Sequence, residues 1–254
     1  GCMDSLACNY NAEANMADGS CTYAEEGYDC DGNLIFKSLM FGSDNSDFII
    51  DNFVEVNNVG SQFDIKVGFS ISAWVKVPES HNSLWCCVLG AHNSNGWIFY
   101  AGSNSDEGKI SFQRSGCNNI YGETDIRDNE WHHISVAFTE ESIIIYLDGE
   151  IDTIAPNDEC YPNIINSSGS ISIGESNHSH SSIENFPGMI SDIIVRDFNN
   201  NFDIEYIMNS HNNTNSIISH WNFNQLPSDT IFDISGNEHH GIVNGNIQFS
   251  TESH

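Results

Sequence analysis

The residues of this chain most able to do chemistry are its eight cysteines, which fall four and four. Cys2, Cys8, Cys21 and Cys30 open the chain, and Cys86, Cys87, Cys117 and Cys160 lie in its body. No C-x-x-C occurs and no histidine follows at zinc-finger distance, which argues against a zinc cage or a redox pair. An even number in each half fits disulfides and an oxidising, extracellular setting. Residues 1–33 carry few large apolar side chains, so without cross-links they could not offset their ordering entropy. Cys86 and Cys87 are neighbours in SLWCCVLG, which reads as a strand, so their sulfurs point to opposite faces. One is expected to reach Cys117 and the other Cys160, in either order, with buried thiols as the alternative.

Other reactive patterns are missing. Neither G-x-S-x-G nor H-E-x-x-H occurs. His132 and His133 are adjacent on a strand pattern and face opposite ways, which speaks against a joint metal site. His178 and His180 fall in a Ser- and Asn-rich stretch that reads as a solvated loop.

The 254 residues carry 36 Asp and Glu against 7 Lys and Arg, a formal net charge of -29. Such a field repels nucleic acid, heparin-like polymers and anionic membranes, and suits Ca²⁺. With no apolar run long enough to span a bilayer, no membrane insertion is expected. The chain lacks an initiator Met and a signal-peptide pattern, and reads as a processed or excerpted product. Sequons at Asn166, Asn177 and Asn212 are candidate glycosylation sites on surface loops.

The elements that position these residues are strands. GFSISAWVKV alternates, with Phe69, Ile71, Ala73, Val75 and Val77 on one face and Ser70, Ser72, Trp74 and Lys76 on the other. HISVAF repeats the alternation, and SIIIYLDGEI is an apolar run closed by Asp148-Gly149, a hairpin signal. SISIG, GMISDIIV and SHWNFN add further strands. FDIEYIMNSH, with Ile204, Ile207 and Met208 at helical spacing, is the one short helix candidate. Regularly punctuated strands of this kind predict an all-β, two-sheet antiparallel sandwich. Trp74, Trp131 and Trp221 are expected to fill the space between the sheets.

FSISAWVKVP, DNEWHHISVAFTEESIIIYLDGE, GSISIGES and FPGMISDIIVRDFNNNFDIEYI, in that order, resemble the LamG-like or pentraxin-like jelly roll of the concanavalin A superfamily. SHWNFNQLPSDTIFDISGNEHHGIVNG resembles the W-x-F…D-x-S-G-N-x-x-H-G stretch of LamG-like domains. Together these divide the chain into a cysteine-rich module, 1–33, and a LamG-like sandwich, 34–254. The opening GCMDSLACNYNAEANMADGSCTY is similar to a short cysteine module of extracellular proteins of aquatic microbes. That similarity implies a Cys2–Cys21 pair, leaving Cys8 for Cys30.

The resemblance also implies sites. Pentraxin-like members hold Ca²⁺ in a loop after the GSISIGES motif, which carries over to Glu175 and Glu184, with Asn93 or Asn95 within approach. A second oxygen-rich rim is offered by Asp44, Asp47 and Asp233. In the small module Asn9, Asn11, Asn15 and Asp18 could wrap a cation, although such residues in turns usually bond their own backbone. Glycoside hydrolases of related fold set carboxylates in E-x-D-x-x-E. The nearest string here, Glu150-Ile151-Asp152, lacks the third carboxylate, so no enzyme is expected. For sugar stacking, Trp85, Trp97, Tyr100 and Tyr121 flank loops in the less patterned stretch 81–125. The expectation is a secreted recognition or adhesion protein that binds glycan or extracellular protein, with calcium as a candidate cofactor. The alternative is a building block of an extracellular filament or coat, assembling head-to-tail through the module and strand edges.

Overall fold

A computed structural model describes residues 1–25, 28–32, 37–42, 52–91, 96–157, 169–175, 185–198, 216–225 and 227–254. Sixteen strands are found among them. In the first half of the chain run β1 (Ser38–Met40), β2 (Phe53–Val56), β3 (Phe69–Lys76), β4 (Cys87–Ala91), β5 (Trp97–Ala101), β6 (Ile110–Arg114) and β7 (Ile120–Tyr121). There follow β8 (Trp131–Phe138), β9 (Ser142–Leu147), β10 (Glu150–Pro156), β11 (Ile171–Ile173) and β12 (Met189–Asp197). β13 (Ile217–Trp221), β14 (Thr230–Ile231), β15 (Gly241–Asn244) and β16 (Gln248–Ser250) complete the set. Short 3-10 segments occur at Ser61–Phe63 and Asn104–Asp106. The expected helix over 202–211 lies outside the described residues.

Every pairing between these strands is antiparallel, and the strands form two sheets. The first runs β10-β9-β8-β3-β12-β1-β16, with β13 also on β12, and the second β14-β15-β2-β11-β4-β5-β6-β7. Alternation explains how they close on one another. Phe69, Ile71, Ala73, Val75 and Val77 are buried in the core, while Trp74 and Lys76 are only partly covered. Ile134 and Val136 of β8 and Ile190 and Val195 of β12 join them from the first sheet. Leu89, Trp97, Phe99 and Phe112 answer from the second. Rings interlock between the layers: Phe69 meets Trp97 at 5.9 Å and Phe112 meets Phe138 at 5.2 Å. Each fully buried side chain of this size contributes roughly 1.5–3 kcal/mol.

Of the three tryptophans expected between the sheets, only Trp221 is there. Trp74 and Trp131 stand on the outer side, where Trp74 stacks on the His254 ring at 4.3 Å. Trp74 shares its face with Ser70 and Ser72, and strand parity outweighs the size of the ring.

Two motifs are locks. In the hairpin β8–β9–β10, Asp148 (φ 50) and Gly149 (φ 85) take the left-handed conformations that a tight hairpin turn demands. Asp148 Oδ1 accepts the His133 N–H at 2.8 Å, and Oδ2 lies 2.8 Å from His132 Nδ1. Asp128 flanks the other nitrogen of His132 at 3.1 Å. The two histidines thus face apart, one at the rim and one buried. Asp233 centres the second lock: it accepts the N–H groups of His220 (2.9 Å), Ser235 (2.9 Å) and His239 (3.0 Å) and the Ser235 hydroxyl (2.8 Å). Asn237 Nδ2 donates to the Ile217 and Ile218 carbonyls, and Trp221 Nε1 donates to the His239 carbonyl at 2.8 Å. At the end of the motif Gly241 has no room for a Cβ, which would run into Val54 of the neighbouring strand.

Among the described cysteines, Cys2 is bonded to Cys21 and Cys8 to Cys30. The expectation for the body is corrected. Cys86 and Cys87 form no disulfide and are buried thiols on opposite faces, Cys86 in the main core and Cys87 against Ile98 and Tyr100. Cys86 Sγ lies 3.6 Å from the Gly102 carbonyl, and burial pushes its thiol well above the ordinary range, so it is packed rather than reactive. Cys117 is disulfide-bonded, and Cys160 lies outside the described residues.

Candidate functional site

Three of the four aromatic residues singled out for stacking share one surface, the outer face of the second sheet. The register runs Cys87 to Tyr100, Tyr100 to Ser111 and Ser111 to Tyr121, a row that crosses four strands. Trp85, just before β4, packs on Tyr100 with ring centroids 5.5 Å apart. Cys87, Ile98 and Tyr100 make the apolar bed beneath it. At the far end Tyr121 is 43% exposed, and Leu84 is 42% exposed beside Trp85.

The segment that carries Trp85 is held firmly. Asn104 N–H donates to the Ser83 carbonyl (3.3 Å), and Ser105 donates to the Leu84 carbonyl through N–H (3.1 Å) and hydroxyl (2.6 Å). Asn104 Nδ2 donates to the His81 carbonyl at 2.6 Å. Polar groups line the row: the Ser111 hydroxyl donates to Asp106 Oδ2 at 2.7 Å, and Asn119 Nδ2 donates to the Tyr121 oxygen at 3.1 Å. Burial raises the Asp106 carboxyl above the ordinary range, against the pull of the Ser111 and Ser105 bonds. Gln113, opposite Ile98, has a buried Nε2 with no hydrogen-bond partner. With Ser111 and Asp106 buried beneath it, the row presents the Trp85 and Tyr121 rings and the Asn119 amide, which suit a ring that is apolar on its face and polar at its edge.

The fourth aromatic is placed differently. Trp97 is fully buried in the inter-sheet core, its Nε1 donating to the Phe63 carbonyl at 3.0 Å, and cannot reach a ligand. W-I-F-Y is apolar throughout because β5 is covered on both faces, so its parity does not show in the pattern.

Of the oxygens considered for calcium, Asp44, Asp47, Asn93, Asn95 and Glu184 lie outside the described residues, as do Asn166, Asn177 and Asn212. Glu175 ends β11's stretch in a bridge with Asn185 and is buried. Asp233 spends its carboxylate on the four donors of the lock. Asn9, Asn11 and Asp18 bond the module's own backbone, as turn residues do. Among the described residues no group of three or more His, Cys, Asp and Glu is placed to hold a metal ion. The carboxylates nearest to a glycosidase pair sit on the edge strand β10, where Asp152 accepts the Glu123 N–H (2.9 Å) and the Thr124 hydroxyl (2.6 Å).

On the outer face of the first sheet His133 is 3% exposed, and its Nδ1 has no partner. Burial lowers it to about 4. An unfolded chain binds this proton near pH 6.5 whereas the folded chain resists until about pH 4, so stability falls with pH across that window. The loss amounts to about 3 kcal/mol by the lower limit. His133→Asn is expected to flatten the slope of unfolding free energy between pH 6.5 and 4 relative to the parent. Denaturant titrations at several pH values check this, and an unchanged slope contradicts it. His132, raised by its two aspartates against the effect of burial, is common to both proteins and cancels in the comparison.

The sequence profile of the Concanavalin A-like lectin/glucanases superfamily matches residues 49–198. No curated protein matches the chain. Among solved structures, the fold is similar to a Bacteroides ovatus protein described as carbohydrate-binding (TM-score 0.60, 14% identity), covering 91% of this chain and 66% of that one. It is also similar to the heptameric SAP-like pentraxin of Limulus polyphemus (TM-score 0.50, 16% identity), covering 85% and 95%. The chain thus spans just under two thirds of the length of the Bacteroides protein.

Proposed function

The chain belongs to the Concanavalin A-like lectin/glucanases superfamily, and from that premise we propose that it is a non-catalytic recognition domain that binds neutral glycans. The observation that carries the reading is the row Trp85–Tyr100–Ser111–Tyr121 on the outer face of the second sheet. Stacking on Trp85 and Tyr121 supplies affinity, while the exposed Asn119 amide and Tyr121 hydroxyl offer partners for sugar hydroxyls above the buried Ser111–Asp106 pair. The net charge of -29 selects uncharged chains over polyanions. The carbohydrate-binding description of the Bacteroides protein of similar fold is consistent with this reading. Two disulfides in the module favour an extracellular setting. A glycan array, run with and without a chelator, tests the proposal. Binding of neutral oligosaccharides is expected, and a chelator-sensitive signal would add calcium at the rim near Glu175. Silence in both conditions overturns the reading.

A second reading has one observation of its own. Met3, Leu6, Tyr10, Met16, Tyr23 and Tyr28 are all exposed on the small module. That density of apolar surface suits contact with another protein, including a second copy of this chain in a filament.

A further inference from the structure

The alternation of β12 fails at one place. Carried forward from Ile190 it would send Asp192 into the core; instead the register with β3 shifts between Ser191 and Ile194, and Asp192 adopts φ 50. Bulges of this kind re-aim a side chain, and a non-glycine residue in the left-handed region marks a conformation imposed by its surroundings. Here the carboxylate points out of the sheet to β13, where Oδ1 lies 2.6 Å from His220 Nε2. Among the described residues its second oxygen has no hydrogen-bond partner, and Asp192 lines a cleft of about 400 Å³.

The cleft contains a rare resource. Of the seven basic side chains, Lys66, Lys76, Lys109 and Arg127 are in ion pairs, and Arg114 and Arg196 are buried. Lys37 lines the cleft and makes no ion pair among the described residues, although acids outnumber bases 36 to 7 in the chain. Asn222 and Asn224 add amides, the Asn222 oxygen being held by the Asn224 N–H at 3.1 Å. At the other end His254 lines the cleft while lying flat on Trp74, which also touches His133 at 5.3 Å. His133 Nδ1, Trp131 Nε1 and Ser135 Oγ are buried polar atoms of this face with no hydrogen-bond partner among the described residues.

We propose that this cleft binds a single carboxylated sugar residue of the uronic-acid type, at a site separate from the aromatic row. Lys37 takes the carboxylate, Asp192 Oδ2 accepts a ring hydroxyl, and the two asparagine amides serve the remaining hydroxyls. The opposed charges of Lys37 and Asp192 keep the cleft close to neutral. The chain's wider negative field repels a polyuronate but is screened over about 8 Å for one small anion at physiological salt.

Calorimetric titration of the full chain with glucuronate and with glucose tests this. Saturable binding of glucuronate, with glucose at least roughly tenfold weaker, is the expected result. Lys37→Gln removes the charge without breaking an ion pair, and is expected to bring glucuronate down to the level of glucose. Asp192→Asn is expected to weaken both sugars, with thermal unfolding monitored in parallel. Trp85→Ala is expected to leave glucuronate binding unchanged, so this site and the aromatic row fail separately. No saturable heat well into the millimolar range, equal affinity for the two sugars, or an unaffected Lys37→Gln variant overturns the proposal.

Discussion

Asp233→Ala is expected to destabilise the sandwich by about 3–6 kcal/mol, the largest effect of any single substitution considered. The carboxylate is buried and receives three backbone N–H groups and one hydroxyl. Truncation leaves the buried N–H groups of His220 and His239 without an acceptor, and each orphaned donor costs about 1–3 kcal/mol. The damage spreads, because the same turn presents the His239 carbonyl to the core residue Trp221. Against a typical total of about 5–15 kcal/mol this is a large fraction. Urea unfolding monitored by tryptophan fluorescence reads it directly. A loss under about 1 kcal/mol would mean that the loop is held by something other than this carboxylate.

Removing the two disulfides is expected to unfold the small module while sparing the sandwich. Their separations of 19 and 22 residues give loops for which each bond contributes roughly 3 kcal/mol through the unfolded state. Few groups compensate: Cys2 and Ala7 are the buried hydrophobics of this stretch, whereas its large apolar side chains are exposed. A variant with Cys2, Cys8, Cys21 and Cys30 all changed to Ser should lose protease resistance in residues 1–30 and keep the sandwich's unfolding midpoint. If the module grips a second copy, the variant should also lose self-association by light scattering. A module that stays protease-resistant without its bridges would contradict the account.

Legibility in the sequence followed from how locally each feature is determined. The alternation of Phe69 to Val77 and the Asp148-Gly149 turn are set by neighbours in the chain, and both are seen in the strands and hairpin. Trp85 and Trp97 could not be told apart, since strand β5 is apolar on both faces and offers no contrast of parity. Asp233 read as a rim oxygen because a sequence shows acceptors without the donors that claim them, one of which comes from His220. Cys86 and Cys87 read as cross-links from their number alone, whereas the sheet gives each sulfur its own apolar surroundings. Asp192 carried a signal, a carboxylate two residues after Ile190 at what strand alternation makes a core-facing step. His220 and Lys37 carried none, since the topology alone brings them to the same cleft.

The central claim is that the aromatic row on the second sheet is where glycan is bound. Its most direct test is the affinity of Trp85→Ala for the strongest neutral oligosaccharide found on an array, measured beside the parent and Tyr121→Ala. The account predicts a loss of about 2 kcal/mol, roughly thirtyfold, for Trp85→Ala, a smaller loss for Tyr121→Ala, and an unfolding midpoint close to that of the parent. Unchanged affinity in both variants, with the fold intact, would contradict it.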